Sequence, residues 1–80
     1  MNWNEIVTRR TPVKTKDRAG YGYVVGEYKD NLLVIEGKVV SHEYMIPKGK
    51  VDNYDGIELS LKISSDQISP DFRLKLPQNL

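Results

Sequence analysis

Eighty residues with a formal net charge of +1 make one domain and leave no room for a second core. The chain has no cysteine, which excludes disulfides, thiol catalysis and thiolate-held zinc and makes a reducing cytoplasm the expected compartment. No run approaches the roughly 20 apolar residues that span a bilayer, so direct membrane insertion is not expected. Six glycines and four prolines against a single alanine, Ala19, favour short strands and tight turns over long helices.

Residues 2–8 have the pattern of one short helical turn, with Asn2 or Asn4 as N-cap and Trp3, Ile6 and Val7 turned inward. Pro12 biases Thr11 towards extended backbone, and Val13 opens a first strand over 12–16. Residues 16–20 read as a turn. The clearest hairpin follows: aromatic and β-branched residues over 21–28, a Lys29-Asp30-Asn31 turn, then the run Leu32-Leu33-Val34-Ile35-Glu36. That run has no polar alternation and reads as a strand buried on both faces. Gly22 and Gly26 inside a strand mark a bulge, a bend or a close backbone approach. As a phosphate-binding loop the stretch fails, because neither a Lys-Ser/Thr pair nor a helix follows.

Residues 41–46 form a further strand, ended by Pro47, and 47–51 a short helical turn or loop. Asp55-Gly56 is a turn signal. Ile57, Leu59, Leu61 and Ile63 alternate with Glu58, Ser60 and Lys62, the pattern of a half-buried strand with four aliphatics inward. Ser64 or Ser65 caps a last helical turn that Pro70 is expected to stop. Phe72, Leu74 and Leu76 alternate again in the tail, as in a sixth strand or one lent to a partner. The expected organisation is a domain over residues 1–69 and a tail over 70–80. The expected fold is all-β, a small barrel of five or six short antiparallel strands with terminal helical turns.

The turn and strand Asp17…Gly22-Tyr23-Val24-Val25, the hairpin over 28–34, Tyr44-Met45-Ile46-Pro47 leading to Val51, and the strand over 55–61 together resemble the PRC-barrel family across residues 4–69. These are the small barrels of photosynthetic reaction-centre H subunits and of a ribosome-maturation factor. The single-domain form is similar to the stand-alone members common in archaea. The chain departs from the family where Asp17-Arg18 replaces the frequent Asp-Gly of the first turn. The resemblance implies an assembly or adaptor module in ribosome maturation, photosynthetic complexes or cell division. It carries no catalytic residue and no cofactor to this chain.

The residues themselves point the same way. His42 lies between Ser41 and Glu43 in a strand, where neighbours point to opposite faces, a poor start for a catalytic triad or a transition-metal site. Asp52, Asp55 and Glu58 break the alternate spacing of a calcium loop. No enzymatic activity and no metal are therefore expected. Tyrosine is enriched at interaction hot spots, and Tyr21 and Tyr23 are expected to share one strand face. With Phe72, Leu74 and Leu76 they form the expected contact with another protein or a second copy, the tail adding as a β-strand. The rival is a nucleic-acid-associated barrel using Arg9, Arg10, Lys14, Lys16 and Arg18, which stand against Asp17 alone in residues 9–18.

Overall fold

The computed structural model describes residues 1–37 and 39–72. Helix α1 (Trp3–Thr8) starts as the sequence indicates: the Asn2 side chain caps it by accepting the Glu5 backbone N–H at 3.1 Å. Its C-terminus is a Schellman motif. The Arg10 N–H donates to Val7 O at 3.0 Å and the Thr11 N–H to Ile6 O at 3.2 Å. That closure needs a left-handed residue after the C-cap, a place usually held by glycine; here Arg10 takes it, with φ 50°. The Thr11 hydroxyl also donates to Ile6 O at 2.9 Å, so this buried threonine is satisfied.

Six strands form one mixed sheet: β1 (Pro12–Lys14), β2 (Gly22–Tyr28), β3 (Asn31–Glu36), β4 (His42–Pro47), β5 (Val51–Tyr54) and β6 (Leu59–Leu61), in the order β4-β3-β2-β1-β6-β5. β2, β3 and β4 are an antiparallel meander, and β5–β6 is an antiparallel pair. β1 joins the two groups, antiparallel to β2 and parallel to β6. The fold is thus mostly β as expected, but two features of the expectation change. The ladder is mixed, and the sheet is not closed into a barrel, since β4 and β5 stand at its two ends.

The sheet nevertheless curls strongly. In a flat sheet β4 and β5 would lie about 24 Å apart. Only the 3-10 turn η1 (Lys48–Lys50) joins them, and the four peptide steps from Pro47 to Val51 reach at most about 14 Å. The Lys48 N–H donates to Asp30 O at 2.7 Å and the Lys62 N–H to Lys50 O at 2.8 Å, which pins the turn from both sides.

The core lies inside this curl. Val13, Val24, Leu32, Val34, Tyr44, Ile46, Leu59 and Leu61 come from the strands, Ile6 from α1 and Ile68 from helix α2 (Ser65–Phe72). The expected glycine devices are present. A bulge falls between Val24 and Gly26, and a β-carbon on Gly22 would lie 2.4 Å from the Ile35 carbonyl oxygen.

Three local features differ from expectation. Val51–Tyr54 forms a strand where none was expected, and the tail strand expected around Leu74 and Leu76 lies outside the described residues. Helix α2 passes Pro70 and runs to Phe72, so Phe72 is helical; it lies four residues after Ile68 and packs on the core. Burial of that shared face outweighs the one backbone hydrogen bond a proline removes. Ile57 is not part of the half-buried strand: it sits in the Asp55-Gly56 turn, 77% exposed. There the Asp55 carboxylate accepts the N–H groups of Ile57 at 2.8 Å and Glu58 at 2.7 Å. These bonds hold its pKa below the usual carboxylate value, the Glu58 N–H contributing most.

Candidate interaction face

The two halves of the sheet treat their outer surfaces differently. In the β1–β6–β5 half, Lys14 pairs with Ser60 and Ser60 with Asn53, so the row facing away from the core is polar. That is the ordinary arrangement for a sheet with one solvated face. The β2–β3–β4 half breaks it. Val24, Leu32, Val34, Tyr44 and Ile46 fill the core, so their strand neighbours Tyr23, Leu33, Ile35 and Met45 point outward. Tyr23 is 57% exposed, and Val25, Leu33, Ile35 and Met45 are half-buried.

Register places these residues in rows. Tyr23 lies opposite Ile35, and Ile35 opposite Glu43; Leu33 lies opposite Met45. Arg10, Tyr23, Val25 and Ile35 line a shallow groove of about 370 Å³ on this face. Its walls are apolar apart from the Arg10 side chain and the Tyr23 hydroxyl. One row therefore reads Pro12, Tyr23, Ile35, Glu43; Arg10 is outside that register and borders the groove on its β1 side.

Of the expected contact residues, Tyr23 lies on this face and Tyr21 does not. Tyr21 precedes β2, just after the left-handed Gly20 (φ 64°), and its ring turns into the core, 5% exposed. There it meets the Tyr44 ring at 6.0 Å between centroids and 49° between planes. Burial pushes its phenol pKa well above the usual value. The expectation that Tyr21 and Tyr23 share a face is therefore corrected: β2 begins at Gly22, so the strand alternation that turns Tyr23 outward does not extend to Tyr21. Phe72 is half-buried against the core, and Leu74 and Leu76 lie outside the described residues.

The basic segment is divided by its own contacts. Arg9 pairs with Glu5 at 3.5 Å and donates to Gly56 O at 3.3 Å. Arg18 stands over the Tyr21 ring, 5.7 Å from its centroid. Arg10 belongs to the apolar groove, while Lys14 and Lys16 are exposed.

The residues that sequence reasoning did not assign to the site are Val25, Leu33, Ile35 and Met45. Their signal was present in β3, whose apolar run asks for burial on both faces while this fold covers one. No protein-family model, curated protein or solved structure matches this chain.

Proposed function

We propose that this protein is a non-enzymatic protein–protein interaction module of PRC-barrel type that self-associates, and that it binds through the outer face of β2, β3 and β4. One observation carries the reading: Tyr23, Val25, Leu33, Ile35 and Met45 leave half of the sheet apolar on the side away from the core, while the other half is polar. Contiguous apolar surface of this kind marks interaction sites. Tyr23 supplies the aromatic that such sites favour, and Arg10 and Glu43 supply a charged rim.

The resemblance to PRC-barrels supports the same class of role, since that family implies adaptor and assembly modules.

Sedimentation mass over a range of concentrations, in low and high salt and with a short single-stranded RNA, tests the reading. A mass that rises with concentration at both salt levels and ignores RNA is expected of protein self-association through this face. A monomer that gains mass only with RNA and only at low salt overturns it in favour of a nucleic-acid-associated barrel.

A further inference from the structure

The outer face carries a charge pattern that selects its occupant. Across the strands it runs from Arg10, beside Tyr23 on β2, through Ile35 on β3 to Glu43 on β4. Arg10 borders the groove on its β1 side, and Glu43 lies on β4, two strand spacings or about 10 Å beyond Tyr23, so the two charges flank the apolar centre from opposite sides. A face with a cation on one side and a carboxylate on the other is complementary to a reversed copy of itself.

Resting on the reading that this face binds protein, we infer that its occupant is a second copy of this chain, laid face to face about a two-fold axis that runs along the strands. That axis reverses the order across the sheet, so Arg10 of each copy meets the partner's Glu43, twice. Tyr23 and Ile35 of the two copies interdigitate between these contacts. A two-fold axis perpendicular to the strands is disfavoured, because it would set Arg10 over Arg10 and Glu43 over Glu43.

Three strands and five residues of each make a face of about 15 by 17 Å. That is small beside the roughly 800 Å² per partner of a standard stable interface, so the dimer exchanges readily and forms in the micromolar range or above.

Arg10 gives a second indication. It holds the left-handed position that ends α1, where glycine would be relaxed, and it places its side chain in the groove. Arg10→Gly therefore removes the charge while relieving the backbone, which separates a loss of association from a loss of folding.

The test is a charge swap read by sedimentation equilibrium at low salt. Arg10→Glu and Glu43→Arg each alone should raise the dimer dissociation constant at least tenfold, because each brings like charges together. An equimolar mixture of the two variants should associate again, since both contacts between unlike chains are then oppositely charged. Arg10→Gly should weaken the dimer with an unchanged or higher melting temperature. If the mixture stays as monomeric as its components, this geometry is overturned. It also falls if Arg10→Gly leaves association unchanged. These outcomes differ from failure of the underlying reading, in which Tyr23→Thr with Ile35→Thr would leave association intact.

Discussion

The Asp17 carboxylate clips the β1–β2 loop to the start of α2, accepting the Ser65 backbone N–H at 2.9 Å and the Ser65 hydroxyl at 3.0 Å. The Thr15 hydroxyl donates to the same carboxylate at 2.8 Å. A carboxylate at the first turn of a helix also meets the positive end of its dipole. The Ser65 N–H, then the Thr15 hydroxyl, lower the Asp17 pKa from 3.8 to about 2. A carboxyl whose pKa is lower in the folded chain contributes stability above its ordinary value and loses it as pH falls through the folded one. The melting temperature should therefore decline between about pH 4 and pH 2. Asp17→Asn should start lower at neutral pH and show a shallower decline over that window. Calorimetry across the pH series checks both, and parallel curves for the two proteins would remove Asp17 from the account.

Gly22 and Gly26 should behave differently although both lie in β2. A β-carbon at Gly22 would lie 2.4 Å from a backbone oxygen, whereas one at Gly26 would meet the Leu33 side chain at 3.4 Å. Gly22→Ala forces β2 and β3 apart and should cost about 1–3 kcal/mol or more. Gly26→Ala should stay within about 0.5–1 kcal/mol of the parent. Urea unfolding of the two variants gives the comparison directly.

Tyr21 and Tyr23 are two residues apart and should separate stability from binding. Tyr21→Ala removes a buried ring and should destabilise by about 3–5 kcal/mol, as large core truncations do. Tyr23→Ala should change monomer stability by about 0.5 kcal/mol and weaken self-association instead. Denaturation curves and concentration-dependent mass, measured on both variants, distinguish the two roles.

Local pattern carried much of the fold. The Asn2 cap, the inward Ile6, the β2–β3 hairpin and the glycine bulge were all legible, because each rests on the chemistry of a few neighbouring residues. What local pattern misplaced depends on distant packing. The parallel β1–β6 pairing joins strands more than 40 residues apart, and the open ends at β4 and β5 are likewise set by long-range pairing that no local pattern encodes. The expected three-residue turn is a two-residue loop between the paired Tyr28 and Asn31, with Lys29 left-handed (φ 54°). Ile57 fits the strand alternation but belongs to the turn that Asp55 organises. At the candidate face the apolar run of β3 announced two covered surfaces. Only the fold shows which of them the chain covers itself, and that Tyr21 belongs to the covered one.

Self-association through the outer face of β2–β4 is tested most directly by sedimentation velocity of the double variant Tyr23→Thr/Ile35→Thr beside the parent, from about 10 µM to about 1 mM, the range in which small interfaces exchange. Threonine keeps the strand propensity of both positions, so the variant should melt within a few degrees of the parent monomer. The account predicts a parent whose mass climbs with concentration and a variant that stays monomeric throughout. A folded variant that associates as the parent does would contradict it.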